Sequence, residues 1–432
     1  ANNMQSRNSK ILLLASLLVI VMASFVGSYV QTDGGRIQLQ EIKIPAHNGQ
    51  WVAGDLFRPR TATVDNPAPL IVVVPGFQRS REALTNIALE LARRGFVTIS
   101  IDPYAQGSSS ASLSRRAATT EGYGMFAVVD FAASSSILNY VDRTRIGSTG
   151  HSAGGNAAIR GANYFGKEAQ RTGQPSKLHS VYVSGYVLTL TDEVIRDVRS
   201  NVGVSYAFYD EGAYRNDLGN GDMRVAPEAL RTVNSGLPAG SEAVTEVELG
   251  HWYGSAHDRT LRVVHNEMVL HPFQPYIKEA TANQIDYFER VFDIDSGLDS
   301  YDQTWYWKEL MGIVALVAAL VALVPMGRLM LDTPWFQPLV HRVPQALPRP
   351  QGKGRILFWS LFLLGALIAC FTYIPMAELS QKWFVAASTR QITWFFPQRM
   401  NNAVMLWAVL NGLVGFTMFF GSYRFFGRKH GI

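Results

Sequence analysis

The sequence predicts an α/β domain, built on a mostly parallel sheet flanked by helices, together with about four transmembrane α-helices. Between residues 31 and 304, strand-like and helix-like patterns alternate, which is typical of a parallel sheet covered on both faces. Outside that segment, the apolar residues are concentrated in four long runs without charge. A run of about 20 residues, rising about 1.5 Å per residue, crosses a hydrocarbon core of about 30 Å.

The elements of the α/β segment follow one another at short intervals. The apolar run at 70–74 predicts a strand buried on both faces, and Asn48-Gly49 predicts the turn of a β-hairpin formed by residues 38–45 and 51–58. Periodicity predicts the remaining elements. These are helices over 82–94, 125–140 and 279–292, strands over 96–101 and 201–209, a turn at 142–145 feeding a short strand, and extended segments over 260–264 and 268–270.

The most informative motif is Gly150-His151-Ser152-Ala153-Gly154, which lies where a predicted strand meets a predicted helix. A G-x-S-x-G run in that context is typical of a nucleophile elbow, in which a sharp turn holds the serine with strained backbone angles. Glycines two positions to either side leave room for the neighbouring strand and helix. The motif therefore predicts Ser152 as an exposed nucleophile, and a serine in an ordinary glycine-rich turn is the alternative interpretation.

Three motifs together resemble the α/β-hydrolase superfamily, nearest to its dienelactone-hydrolase and acyl-esterase branch. They are LIVVVPGF at 70–77, DPYAQGSS at 102–109 and GHSAGG at 150–155, and the resemblance covers about residues 36–294. The chain departs from the family pattern at two places. Pro75-Gly76 stands where His-Gly is commoner, and Gln106 precedes Gly107 where Gly-x-Gly is usual.

The resemblance implies a charge-orienting acid after a later strand and a histidine beyond it, in the chain order Ser, Asp or Glu, His. Asp210 follows the predicted strand over 201–209 and is the predicted acid. It would hold the imidazole in the right tautomer and stabilise the imidazolium formed during attack. Glu211 and Asp217 are the other contenders, and a surface turn is the structural alternative for Asp210.

In this family the catalytic base lies on a loop just before the closing helix, which indicates His271. The earlier histidines at 251, 257 and 265 stay open as alternatives. His251 and His257, with Asp258, lack the H-E-x-x-H spacing of a zinc site, so no metal is predicted. Backbone N–H groups of Phe77 and Ala153 are the predicted oxyanion donors, and the mechanism needs no cofactor.

The charges beside the four uncharged runs predict the orientation of the chain. Three basic clusters fall on one side of four spans, and the positive-inside rule places that side in the cytoplasm. The α/β domain is therefore predicted to be extracytoplasmic. The basic residues are Arg7, Lys10, Arg328, Arg342, Arg349, Lys353, Arg355, Arg424, Arg428 and Lys429.

The predicted organisation divides the chain into nine parts. Trp383, Trp394, Phe395 and Phe396 indicate an interfacial segment before the last span. The parts are a cytoplasmic tail (1–10), a first transmembrane helix (11–30), the extracytoplasmic domain (31–304), a second helix (305–327), a cytoplasmic basic loop (328–355), a third helix (356–377), an extracytoplasmic or interfacial segment (378–399), a fourth helix (400–423) and a cytoplasmic tail (424–432).

The function predicted from these features is that of a membrane-anchored serine hydrolase acting on a carboxylic ester, either a lipid or another acyl ester. Trp305-Tyr306-Trp307 at the domain boundary favours an ester held near the headgroups. Two alternatives stay open: an envelope acyltransferase with the same triad, and a non-catalytic hydrolase-like scaffold in a membrane complex. A membrane-protein partner or an oligomer is compatible with the sequence. Nucleic acid is not a predicted partner, because the inner loops account for the formal net charge of +5.

Overall fold

The computed structural model describes residues 2–343, 345–346, 349–391, 393 and 398–429. The chain divides into two compact units. Residues 17–319 form one unit, and residues 1–16 with 320–432 form the other.

An eight-stranded sheet lies at the centre of the larger unit. Its spatial order is β1-β2-β4-β3-β5-β6-β7-β8. Strands β3 to β8 pair in parallel, whereas β2 runs antiparallel to both β1 and β4. The predicted mostly parallel sheet is therefore confirmed. The strands are β1 Ile37–Pro45, β2 Trp51–Pro59, β3 Ala68–Val74, β4 Val97–Ile101, β5 Val141–His151, β6 Ser180–Ser184, β7 Asn201–Ser205 and β8 Arg262–His265.

Helices cover both faces of this sheet and extend beyond it at the two ends of the chain. The helices are α1 Asn2–Gln31, α2 Thr85–Arg93, α3 Ala117–Glu121, α4 Met125–Ser134, α5 Ala153–Thr172, α6 Asp192–Ile195, α7 Pro227–Ser235, α8 Lys278–Phe292, α9 Trp305–Leu331, α10 Lys353–Trp383, α11 Val385–Ser388 and α12 Arg399–Phe425.

Strand β3 shows why the central strands are apolar throughout. Leu70, Val72 and Val74 pack into the cluster that includes α4 and α5. The alternate residues Ile71 and Val73 pack on the opposite face with α2 and α8. Because successive side chains of a strand point to opposite faces, a strand covered on both sides has no position left for a polar residue.

The β1–β2 hairpin forms where the sequence predicts it. Asn48 and Gly49 have φ angles of 59° and 77°, the positive values that a tight hairpin turn requires. Other predicted bounds were wrong, and the strand predicted over 201–209 ends at Ser205. The helix predicted over 125–140 ends at Ser134, because the Ser135 side chain accepts the N–H of Ile137 and offers the backbone an alternative to the helix.

The predicted turn at 142–145 is instead the irregular first part of β5. The Asp142 carboxylate accepts the N–H of Thr144 as in a turn, but the chain keeps its strand and shifts register against β3. The predicted helix over 82–94 begins as a 3₁₀ turn at Arg81–Leu84, and residues 268–270 form no strand. The residue patterns therefore located these elements but did not predict where each one begins or ends.

Four helices of the described chain are long and apolar enough to cross a membrane: Gln5–Gln31, Trp305–Leu331, Lys353–Trp383 and Arg399–Phe425. They contain the four predicted runs. In the smaller unit, Trp407 of α12 donates to the carbonyl of Ala369 in α10 at 2.9 Å, and Asn411 donates to Thr372 at 3.3 Å. The interfacial residues Trp394, Phe395 and Phe396 lie outside the described residues.

The start of α9 is fastened to the domain core. The buried carboxylate of Glu90 in α2 accepts the backbone N–H groups of Thr304 and Trp305 at 2.7 and 3.0 Å. These are donors that the first turn of a helix leaves without a partner. Val30 at the end of α1 and Tyr306 in α9 both pack against the core cluster on the α2 and α8 face. The domain-proximal ends of both helices are thus held by the fold.

Candidate active site

Ser152 lies at the sharp turn between β5 and α5, as the sequence predicts. Its φ and ψ angles are 58° and −120°, in a region that a non-glycine residue rarely adopts. Its N–H donates to the carbonyl of Ser184 in β6 at 2.8 Å. A backbone in such a region costs on the order of 1–3 kcal/mol and persists only where its surroundings impose it, typically at functional sites.

Two glycines of the motif are required by close backbone contacts. A Cβ atom on Gly154 would lie 1.9 Å from the carbonyl oxygen of Val74, and a Cβ on Gly150 would lie 2.4 Å from the backbone of Gly154. Neither backbone can retreat, because both neighbours belong to the sheet or to α5. The turn therefore has room for a side chain at position 152 but not at position 150 or 154.

Asp210 and His271 are brought together across the loops that follow β7 and β8. The Nδ1 atom of His271 lies 2.7 Å from Oδ2 of Asp210, and Oδ1 of Asp210 accepts the N–H of Gly212 at 2.7 Å. Burial by itself would raise the pKa of Asp210, but the hydrogen bond and charge of His271 outweigh it and lower that pKa. The carboxylate is therefore ionised at neutral pH, and a charged partner is what an imidazolium at His271 needs.

All five residues predicted for the site line one cavity of about 440 Å³. They are Phe77, Ser152, Ala153, Asp210 and His271. Within the described residues, Oγ of Ser152 makes no hydrogen bond of 3.5 Å or less. Contacts of this kind are commonly loose without substrate and tighten when it binds.

The two predicted oxyanion donors come from different elements that line the cavity. Ala153 opens α5, so its N–H belongs to the first turn, whose donors have no partner within the helix. Phe77 belongs to the loop after β3, where a Cβ on Gly76 would lie 3.4 Å from Cβ of Ser152. The loop thus runs directly beside the nucleophile.

Gln106, which departs from the family pattern, supports that loop. Its Nε2 donates to the carbonyl of Arg79 and, at 3.5 Å, to that of Gly76. The carboxylate of Asp102 holds the other end of the same region by accepting the N–H groups of Arg81 and Ser108, both at 2.8 Å. The residue that replaces the usual glycine therefore braces the backbone near Phe77.

Two residues beside the predicted triad were not singled out from the sequence. His151 is 7% exposed, and its ring centroid lies 4.5 Å from that of His271. Burial, then the proximity of His271 and Arg79, lowers the pKa of His151 to about 3, so this ring is neutral. Tyr206 is a further hydrogen-bond partner of Asp210. His151 stands inside the motif, but nothing in the sequence places it against a histidine 120 positions later.

The alternative candidates lie in other surroundings. Nδ1 of His265 lies 2.9 Å from the hydroxyl of Tyr182, and Asp217 pairs with Arg231. His257 is exposed beside Asp258. His251 is near Glu248, and Glu211 lines the same cavity as His271, whose Nδ1 atom is hydrogen-bonded to Asp210. Among the residues that the structure describes, no three His, Cys, Asp or Glu side chains form a group able to hold a metal ion.

We expect the fold to be acid-labile because of its buried neutral histidines. Burial lowers the pKa of His265 to about 4, and that of His151 is about 3, against an ordinary value of 6.5. Below pH 6.5 these histidines become protonated in the unfolded chain but stay neutral in the folded one. The free energy of unfolding is therefore unaffected by them above that pH and decreases as the pH is lowered. At pH 5 each ring is expected to cost about 2 kcal/mol.

The measurement is the Tm of the full chain between pH 7.5 and 5. His265→Gln, which keeps a polar partner for Tyr182, is expected to lose less Tm on acidification than the unsubstituted chain. His257→Gln changes an exposed ring and serves as the control. An equal acid loss in all three proteins would contradict the assignment of His265.

Comparisons with known proteins agree with this fold. A family model described as PET hydrolase-like matches residues 26–211, a stretch that includes Ser152 and Asp210 and ends before His271. No curated protein matches the sequence.

Three solved structures resemble the chain at low identity. An esterase of Pyrococcus furiosus has 12% identity and a TM-score of 0.41, with 60% of this chain and 95% of that one covered. A dienelactone hydrolase of Anabaena variabilis has 13% identity and a TM-score of 0.38, with 60% of this chain and 98% of that one covered. A hyperthermophilic esterase of Pyrobaculum calidifontis has 16% identity and a TM-score of 0.36, with 67% of this chain and 91% of that one covered. Likeness of this strength carries no argument about the reaction or its substrate.

Proposed function

We propose that this chain, whose sheet and helices form an α/β-hydrolase domain, is a membrane-anchored serine hydrolase that cleaves a carboxylic ester. One observation carries the proposal. The Asp210–His271 hydrogen bond of 2.7 Å lies on the cavity that also holds the strained Ser152. Acyl transfer through a serine requires a nucleophile, a base and an orienting acid, and all three candidates line this one cavity. They also occur in the chain order Ser, Asp, His.

The proposed reaction has two halves. Nε2 of His271 takes the proton of Ser152 Oγ, the oxygen attacks the ester carbonyl, and the C–O bond to the alcohol breaks as His271 returns the proton to the leaving alcohol. His271 then takes a proton from water, whose oxygen attacks the acyl carbon. The bond from that carbon to Ser152 Oγ breaks, His271 returns the proton to Oγ, and the acid is released. Asp210 stabilises the imidazolium formed in each half.

Developing negative charge on the carbonyl oxygen would be held by the N–H groups of Ala153 and Phe77. Removing one such donor typically lowers kcat by about 10²–10³. Gln106 is buried and takes no part in proton transfer, but it holds the loop that carries Phe77. Its loss is therefore expected to lower kcat. These steps use protein groups and water.

Product analysis tests the proposal. The full chain in detergent is expected to convert umbelliferyl esters into free acid and umbelliferone, with no dependence on an added alcohol. An acyl ester of an added alcohol as the main product would instead establish the acyltransferase. Absence of turnover across short and long acyl chains, in a folded preparation, would favour the scaffold.

We also propose that the hydrolase domain is extracytoplasmic, on the grounds of the basic loops at 328–355 and 424–429. Proteinase K added to intact cells is then expected to cleave the exposed run at 238–243 while the loop at 342–355 stays protected. Permeabilised cells, in which both sites are accessible, provide the control. Cleavage of the 342–355 loop alone in intact cells would reverse the orientation.

A further inference from the structure

The segment that begins with the proposed base has an apolar outer face. Residues His271–Tyr276 form a 3₁₀ helix, in which side chains three residues apart lie one above the other. His271 and Gln274 face inward, toward Asp210 and the core, and Gln274 is fully buried. The residues on the opposite register, Leu270, Phe273 and Tyr276, are 41%, 57% and 37% exposed. We call these three residues the apolar stripe.

The far end of the apolar stripe reaches the start of α9. Tyr276 lines a cavity with Trp305 and Glu309 of α9. Just beyond the stripe, the carbonyl of Lys278 accepts a hydrogen bond from Gln303 at 2.9 Å, and the Lys278 ammonium lies 4.6 Å from the centroid of the Tyr306 ring. The start of α8, two residues after the segment that carries His271, therefore contacts the first turn of a candidate membrane span.

The composition of α9 places its first turn at the membrane surface. Trp307 is 48% exposed, whereas Trp305 and Tyr306 pack in or against the domain core. Residues 308 and 309 are charged, and the uncharged run starts at 310. Aromatic residues of this kind concentrate at the level of the headgroups, a layer several ångströms thick on each side of the hydrocarbon. Six residues of 3₁₀ helix rise about 12 Å in total, so His271 lies within about that distance of Tyr276 along the segment.

We propose that the apolar stripe contacts the bilayer surface and that the substrate is an ester of a membrane-resident amphiphile, which enters the catalytic cavity past Phe273. Phe77, which lines the cavity and is 43% exposed, would continue the apolar path to Ser152. The substrate class rests on the proposed esterase function, whereas the membrane contact rests on the geometry of the larger unit. The two parts can therefore fail separately.

The membrane contact is tested without any enzyme activity. Phe273→Cys, made in a Cys370→Ser background because Cys370 is the chain's single cysteine, is labelled with an environment-sensitive fluorophore. The full chain is then reconstituted in vesicles of phosphatidylcholine and phosphatidylglycerol with and without brominated chains. Labelled Ile137→Cys is the control, because Ile137 is 72% exposed and precedes β5, whose first residue pairs with Ala68 and lies about 20 Å along β3 from the elbow end at Val74.

Strong quenching by brominated lipid at position 273, and little at 137, is the expected result. Equal quenching at the two positions would overturn the membrane contact. This readout does not depend on whether the chain hydrolyses esters.

The substrate class is tested by Phe273→Asp in the same vesicles. Turnover of the umbelliferyl ester of oleic acid, dissolved in the bilayer, is expected to fall about tenfold, as the loss of one apolar side chain from the interface would produce. Turnover of the acetate ester, which reaches the cavity from water, should stay within about twofold, and Ile137→Asp should change neither.

An equal loss on both esters would mean that Phe273 shapes the site itself, and no loss on either would mean that the stripe does not guide substrate. Both results overturn the proposal. The unsubstituted chain could hydrolyse neither ester while the label at position 273 is quenched. That result would contradict the esterase function and the substrate class, and it would still support the membrane contact.

Discussion

Replacing Ser152 with alanine is expected to abolish both ester hydrolysis and labelling by a fluorophosphonate probe. Oγ of Ser152 is the proposed nucleophile, and kcat in a characterised serine protease falls by about 10⁶ when its nucleophile is removed. The residual rate reflects binding and oxyanion stabilisation, which alanine leaves intact. The backbone at φ 58° accommodates alanine as it does serine, so the loss should not come from unfolding.

Gel fluorescence of the labelled full chain is the measurement, and unchanged Tm shows that the variant is folded. Ser241→Ala, at an exposed serine outside the cavity, is the matched control and should label like the unsubstituted chain. Labelling that survives Ser152→Ala would move the nucleophile to another residue and remove the support for the proposed mechanism.

Replacing His271 with alanine is expected to lower kcat nearly as much as Ser152→Ala, because nucleophile and base act as one unit. Asp210→Asn should lower kcat by about 10⁴, since the amide keeps the shape but favours the wrong imidazole tautomer. Against the effect of burial, the hydrogen bond and charge of His271 lower the pKa of Asp210 from its ordinary value of 3.8, so the carboxylate is charged at neutral and mildly acidic pH. The Asn variant should therefore be impaired throughout that pH range.

Separate kcat and KM values for a short ester provide the readout. KM is expected to change little in either variant, because neither side chain holds the acyl group. His257→Ala is the control for a histidine outside the cavity. Full labelling by His271→Ala would transfer the role of base to another histidine, and a pure KM effect of Asp210→Asn would make it a substrate-binding residue.

The sequence by itself determined the features that depend on neighbouring residues. The nucleophile elbow is recognisable from the five-residue motif itself, in which a Cβ on Gly150 would lie 2.4 Å from the backbone of Gly154. The hairpin turn at Asn48-Gly49 follows from the positive φ angles that these residues tolerate. The four candidate spans follow from length and apolar composition alone. Each is decided within a window of the chain, which a pattern can describe.

Only the tertiary structure decided which distant groups meet. Asp210 is hydrogen-bonded to His271 across 61 positions, because the backbones of the loops after β7 and β8 are hydrogen-bonded to each other. His151, at the end of β5, also lies against His271. The apolar stripe lies near the start of α9 because α8 and the first turn of α9 pack in the same core cluster. Such contacts arise from the packing of whole helices, strands and loops, so they cannot be predicted from the spacing of residues along the chain.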